Sequence, residues 1–178
     1  MRHVFILNPA AGKNKAALEM RPKIEQLFKN LTLDYAVHTT TAPGDATRLA
    51  KMEVEKGDPV RLYACGGDGT LLEVATGIGD APHAELACVP CGSANDFIRF
   101  MENSDRFDDL ASLVAGEAKR VDAISCNGKL SLNMCSMGLD ANVASRQARY
   151  KHWPLVSGPM AYNLALVNTF FRPTGRSG

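Results

Sequence analysis

Gly66-Gly67-Asp68-Gly69-Thr70 sets a carboxylate among three glycines, and Pro90-Cys91-Gly92-Ser93-Ala94-Asn95-Asp96-Phe97 brings hydroxyl, amide and carboxylate together again in a second short segment. Glycine-rich loops ahead of helices gather bare backbone N–H groups that suit anions, above all phosphate. A carboxylate repels the same guest unless a cation stands between them. Two acids beside a polyphosphate therefore call for a divalent ion, and magnesium is the hard cation that binds one or two carboxylates together with substrate phosphates. Helix capping is the competing explanation for single residues: Asp68 or Thr70 can cap a helix, and Ser93 with Asp96 has the spacing of a capping box. Capping leaves the three glycines unexplained.

A third segment, Asn8-Pro9-Ala10-Ala11-Gly12-Lys13, has small residues where a strand meets a helix. It is not a Walker A motif, because no glycine stands six places before Lys13 and Asn14 occupies the Ser/Thr position. Free backbone amides there, with charge from Lys13 or Lys15, suit phosphate oxygens; a plain tight turn with solvated lysines is the alternative.

These segments need a frame that brings them together. His3 to Leu7 reads as a buried strand, and Ala17, Met20, Ile24, Leu27, Phe28 and Leu31 recur at helical spacing. Leu31 to Thr39, Val60 to Cys65 and Glu85 to Pro90 read as further strands, with helices from Gly44-Asp45 to Val54, from Thr70 to Ile78, near Ser93 and over Phe107 to Ala115. Strands alternating with helices predict an α/β fold, Rossmann-like, with a parallel sheet and right-handed crossovers. In that fold every strand-to-helix loop emerges at the carboxyl edge, where open α/β sheets bind ligands. After Gly116 the rhythm changes. A hairpin of Arg120 to Ile124 and Lys129 to Met134, turned at Asn127-Gly128, and two helices near Asp140 to Tyr150 and Gly158 to Phe171 are expected. This divides the chain into an α/β domain over 1–118 and, over 119–178, the start of a β-rich second domain that reads as truncated, since a hairpin and two helices are too little to close a core.

Composition narrows the function classes. The 178 residues are 46% hydrophobic and 22% charged with a net charge of +1, which excludes a disordered chain. No apolar run is long enough to span a bilayer, and the first residues lack the pattern of a signal peptide, so a cytoplasmic protein is expected. Charge is uneven: residues 119–178 hold eight Lys or Arg against Asp122 and Asp140 alone, with Trp153 and Phe170-Phe171 nearby. Basic and aromatic residues together suit an anionic membrane surface, or are a solvated face around core aromatics. Among five cysteines, Cys88-Val89-Pro90-Cys91 has redox or zinc spacing, but no second ligand pair accompanies it and Cys88 sits in a strand run. Reduced, mostly buried thiols are expected.

In this order and spacing, the three loop segments, together with Thr39 to Ala46, Arg120-Val121-Asp122 and Asn133 to Val143, resemble the diacylglycerol kinase catalytic-domain family, especially its soluble bacterial lipid kinases. The Gly-Gly-Asp-Gly-Thr element alone also resembles NAD kinases and phosphofructokinases; the Asn95-Asp96-Phe97 loop separates this chain from them. The resemblance implies transfer of the ATP γ-phosphoryl to the hydroxyl of diacylglycerol or a related lipid. It implies ATP held by Asn8, Pro9, Ala10, Ala11, Gly12, Thr40, Gly66, Gly67, Asp68, Gly69, Thr70, Leu71, Leu72, Glu73, Ser93 and Asn95. Asp68 and Asp96 would be catalytic carboxylates, and Asp68, Asp96 and Asp122 would work with Mg2+, partly through water. Leu72 stands where bacterial members often have asparagine, and Ser93 where threonine is usual. The family's general base comes from a later Asp-Gly motif, which does not follow Phe171 here. A lipid substrate at the inner membrane face, a peripheral location, no nucleic-acid partner and a homodimer as candidate assembly complete the expectation. An NAD or sugar kinase and an inactive nucleotide- or lipid-binding module are the alternatives.

Overall fold

The structure, a computed structural model, describes residues 1–12, 16–92, 94–99, 101–102, 104–136, 139–150 and 158–171. Lys13, Lys15, Ser93 and the stretch from Lys151 to Trp153 lie outside the described residues, as do the side chains of Phe170 and Phe171. Contacts group the chain into two compact units, Met1–Asn133 and Met134–Gly178.

In the first unit, four strands form one parallel sheet: β1 (Arg2–Leu7), β2 (Tyr35–Thr39), β3 (Val60–Gly66) and β4 (Ala84–Pro90), in the order β2-β1-β3-β4. The two inner strands, β1 and β3, are buried almost throughout, as strands covered on both faces must be. Alternation divides their side chains between two cores. Val4, Ile6, Leu62 and Ala64 face helices α2 (Asp45–Val54) and α3 (Asp68–Ile78), whose Leu49, Ala50, Leu71 and Val74 fill that side. Phe5, Leu7, Tyr63 and Cys65 face the other way, against Ala17, Ile24 and Phe28 of α1 (Ala16–Lys29) and Leu110 and Leu113 of α5 (Leu110–Ala115). Buried Arg61 ties α5 down: it pairs with Glu85 at 2.6 Å and donates to the carbonyls of Leu113 and Val114 at 2.9 and 3.1 Å, the orphan acceptors of a helix end.

The chain moves outward from β1 to β2, then crosses back over β1 to β3, so the direction of winding reverses between β1 and β3. That reversal is the topological switch point where the loops after adjacent strands diverge and leave a crevice.

Two local expectations shift. The second strand starts at Tyr35, not Leu31; Leu31 and Leu33 are 36% and 42% exposed, ahead of the ladder that begins at the His3–Tyr35 pair. In the hairpin only β5 (Ile124–Cys126) and β6 (Lys129–Ser131) pair, while Arg120, Val121 and Asp122 remain exposed and unladdered. Asn127 and Gly128 both take positive φ, 50° and 73°, the geometry of a two-residue type I′ turn. This hairpin lies within the first unit, Met1–Asn133.

The second unit, among its described residues, is a helix pair, α6 (Leu139–Tyr150) and α7 (Gly158–Phe171). Val143, Ala161 and Ala165 are buried, Arg146 donates to the Asn168 carbonyl at 2.9 Å, and Asn168 donates to the Tyr150 hydroxyl at 2.9 Å. Among the described residues no helix is long and apolar enough to cross a membrane.

One buried ion group makes the first unit acid-sensitive. Glu53 on α2 has a side chain only 1% exposed, hydrogen-bonded to His38 at 2.9 Å and Lys56 at 2.6 Å, with Arg2 at 3.7 Å. Burial pushes its pKa up, but the hydrogen bonds from Lys56 and His38 and the Arg2 charge outweigh that, and the net shift is below the ordinary 4.5. A carboxylate with a depressed folded-state pKa contributes stability that is present above pH 4.5 and is lost as pH falls through the lower folded value. Glu53→Gln is therefore expected to lower stability at pH 7 by about 1–2 kcal/mol and to flatten the acid limb below pH 4.5, read by urea unfolding across pH.

Candidate functional site

The sequence-predicted loops do meet at the carboxyl edge, where the first amides of the β1, β2 and β4 loops close onto carbonyls of the neighbouring strand ends. The Asn8 amide donates to the Cys65 carbonyl at 3.0 Å, Thr40 to Leu7 at 2.9 Å, and Cys91 and Gly92 to Gly66 at 2.9 and 3.2 Å. The sheet ladder is thereby carried one step past the strands.

Across the switch point, Asn8 joins the β1 and β3 loops. Its Oδ1 accepts from the Ala10 amide at 3.0 Å and its carbonyl from the Ala11 amide at 3.0 Å, while Nδ2 donates to Thr70 Oγ1 at 2.8 Å. Gly12 closes the turn with φ of 73°. Thr70 is 4% exposed, and its side chain lies over Gly66, where an added Cβ would stand 2.2 Å from Thr70 Oγ1 and 2.5 Å from Thr70 Cβ. Glycine at 66 is thus the space that Thr70 occupies.

The β3 and β4 loops are in backbone contact. A Cβ on Gly92 would come within 2.5 Å of Gly67 Cα. Asn95, with φ of 52°, holds the β4 loop by accepting from the Gly92 amide at 3.2 Å and donating to the Gly92 carbonyl at 2.9 Å. From there the short helix α4 (Asp96–Arg99) begins, and its first two amides, Asp96 and Phe97, donate to Asp68 Oδ2 and Oδ1, each at 3.0 Å. Asp68 is therefore a bridge from the head of α3 to the head of α4. This leaves the Asp96 carboxylate exposed in front of the loops, with Arg99 Nη1 at 3.4 Å.

Other predicted residues fall behind this front. Leu71 is a core residue, Thr40 is buried at the end of β2, and Leu72 is half-buried with its carbonyl accepting from Thr76. Glu73 turns its carboxylate to the Ala46 amide of α2 at 3.2 Å. Asp122 is exposed in the segment before β5, and among the described residues no three His, Cys, Asp or Glu side chains converge as a metal-binding set. The Asp68–α4 bridge, the Asn8–Thr70 bond and the Gly67–Gly92 approach leave no trace in local residue spacing. Their only signals were the residue types themselves.

Chemically, the arrangement offers donors and two carboxylates. Gly67 caps α3 without any side-chain hydrogen bond, so this 11-residue helix presents its first amides and the positive end of its dipole at the crevice. Beside Gly69 the position of a Cβ meets no atom within 4 Å, which leaves room for a ligand. These features fit a phosphate chain. One exposed carboxylate, Asp96, and one held in place by amides, Asp68, fit a magnesium ion that also takes phosphate oxygens.

The Cys88–Cys91 pair is not part of it. Cys88 lies in the α2/α3 core and Cys91 in the α1/α5 core, on opposite faces of the sheet. Burial raises the Cys88 thiol to about 12, with the Asp68 and Cys91 charges adding to it, and burial raises Cys91 to about 11. Both stay protonated and unreactive at neutral pH.

This geometry has known relatives. The family model described as Diacylglycerol kinase catalytic domain matches residues 2–126. A diacylglycerol kinase of Staphylococcus aureus (strain MRSA252) is 32% identical over 160 residues, 89% of this chain and 50% of that protein, and the diacylglycerol kinase of strain Newman matches to the same extent. A crystal structure of a diacylglycerol kinase from Bacillus anthracis str. Sterne superposes with a TM-score of 0.55 at 28% identity, over 74% of this chain and 48% of that one. The chain spans about half the length of the curated relatives it matches. With a match over residues 2–126 that runs from β1 through β5 and takes in all three loops, the chain belongs to the diacylglycerol kinase catalytic-domain family.

Proposed function

We propose that this chain is the nucleotide-binding part of a lipid kinase that moves the γ-phosphoryl of ATP to the hydroxyl of diacylglycerol or a related lipid. The observation that carries the reading is the uncapped head of α3 at the switch point, bridged through Asp68 to the loop that presents Asp96. Phosphoryl transfer is chiefly positioning and charge neutralisation, which suits a site made of amides, glycines and acids. Asn8 to Gly12 and Gly66 to Thr70 would receive the phosphates, with Thr40, Ser93 and Asn95 alongside and Leu71, Leu72 and Glu73 supporting them. Magnesium, when bound, would neutralise phosphate charge beside Asp68 and Asp96, with Asp122 acting through water. Residues 1–118 would serve as the ATP domain, and 119–178 would lead into a lipid-side domain. The surplus of basic residues over 119–178 favours an anionic inner-leaflet surface and a peripheral, cytoplasmic protein, with a homodimer as the candidate assembly.

The test pairs calorimetry of ATP with magnesium against transfer of labelled phosphate to diacylglycerol, ceramide, sphingosine and NAD in parallel. Magnesium-dependent ATP binding is expected, and label in diacylglycerol is expected of a chain that also carries the proton acceptor for the lipid hydroxyl. Label in NAD, or no ATP binding, would overturn the reading. ATP binding without transfer is expected if the proton acceptor for the lipid hydroxyl comes from outside residues 1–178, as the resemblance implies.

A further inference from the structure

We infer that Glu73 is a positioning residue for the nucleotide site, acting through the first turn of α2 and not by contact with nucleotide or metal; this rests on the nucleotide reading above. Glu73 lies on α3, five residues beyond Asp68, at the back of the loop that faces the crevice. Its Oε2 accepts from the Ala46 amide at 3.2 Å, and its own carbonyl accepts from Thr47 Oγ1 at 2.9 Å. Two hydrogen bonds thus fix the start of α2 to α3. One turn further on, Gly77 lets the helices touch: a Cβ there would stand 2.4 Å from the Thr47 carbonyl oxygen and 2.7 Å from Ala50 Cβ.

The segment so held is the β2–α2 loop. Gly44 at the head of α2 has φ of 83° and provides no side-chain cap, so α2 depends on outside acceptors for its first amides. Glu73 is one such acceptor. Beside Ala46, Asp45 Oδ2 accepts from the Thr41 amide at 2.9 Å and from Thr41 Oγ1 at 3.1 Å, which folds the loop back onto the helix start. The adjacent Thr40 amide is anchored to the Leu7 carbonyl at 2.9 Å, next to Asn8. Contacts therefore run from the Gly66–Thr70 loop along α3 to Glu73, then through Ala46 and Asp45 to Thr41 and Thr40. Glu73 sets the distance between the two loops.

What Glu73 supplies in this arrangement is an acceptor oxygen, and its negative charge is incidental. Glutamine keeps the acceptor and discards the charge; alanine discards both. Calorimetric titration of ATP with magnesium into the 178-residue chain, well below its melting temperature, should give Glu73→Ala an affinity about tenfold weaker than wild type and Glu73→Gln one within about twofold. Hydrogen exchange should be faster over Thr40–Ala46 in Glu73→Ala and unchanged at Leu71–Val74. A Glu73→Gln variant as weak as Glu73→Ala would mean direct charge contact and overturns the inference, as does wild-type affinity in Glu73→Ala. If Glu73→Ala does not fold, Glu73→Asp, one methylene shorter, withdraws the carboxylate from the Ala46 amide while keeping the charge; about threefold weaker binding supports the inference, and unchanged binding overturns it. No ATP binding by wild type would instead sink the nucleotide reading itself, and the inference with it.

Discussion

In the Asp68→Ala variant, magnesium-dependent ATP binding is expected to fall by at least about a hundredfold, roughly 3 kcal/mol. Asp68 accepts from the Asp96 and Phe97 amides at 3.0 Å each, and hydrogen bonds to an ionised acceptor contribute about 1.5–3 kcal/mol apiece. Alanine orphans both donors at once. Water can reach the exposed Asp96 amide and recover part of the loss, so the lower end of that range applies. The effect on binding would then have two sources: a carboxylate that would hold magnesium beside the phosphates is gone, and Asp96 is no longer aimed by a fixed α4. Asp68→Asn keeps one acceptor oxygen and should fall between wild type and alanine, about tenfold down. Calorimetry with and without magnesium measures both. Wild-type affinity in Asp68→Ala would remove the residue from the site.

Gly66→Ala carries the second large effect, on folding as much as on binding. The new Cβ would stand 2.2 Å from Thr70 Oγ1 and 2.5 Å from Thr70 Cβ, and Cβ lies at the root of its side chain, where no rotamer can clear it. Either β3 or the first turn of α3 must move, and with it the Asn8–Thr70 bond. Overpacking of this kind costs about 3 kcal/mol, a loss of roughly 10 °C in melting temperature for a domain of this size. Gly69→Ala is the control. Its Cβ meets nothing within 4 Å and alanine favours the helix, so stability should hold or rise by up to about 1 kcal/mol. A glycine with open space beside it and a packing glycine, three positions apart on either side of Gly67 and Asp68, thereby separate in thermal unfolding followed by circular dichroism. Equal melting temperatures for the two variants would contradict the packing argument.

Much of the frame was legible because it depends on local period. The unbroken apolar run at β1 and the helical spacing of Ala17, Ile24 and Phe28 identify a buried strand and the helix that covers it, and the structure has both. The errors fall where no periodicity exists. Leu31 and Leu33 look like strand residues, yet they lie outside the ladder because β1 begins its pairing at Tyr35. Arg120 to Asp122 look like strand residues too, but a hairpin grows outward from its turn, and this one pairs only three residues a side.

The sequence by itself determined the α/β class, the loops that must share the carboxyl edge and the residue types those loops offer, because side-chain period and turn chemistry are properties of neighbouring residues. Only the tertiary structure decided the partners. The strand order puts Asn8 against Thr70 across 62 residues, Asp68 against the head of α4 across 28 and 29, and Glu73 against the head of α2 across 27. A carboxylate in a glycine loop can face a cation, cap its own helix or hold another helix, and the residue type is the same in each case. Which of these it does depends on which strand lies beside it, and hydrophobic spacing along one strand carries no record of its neighbour.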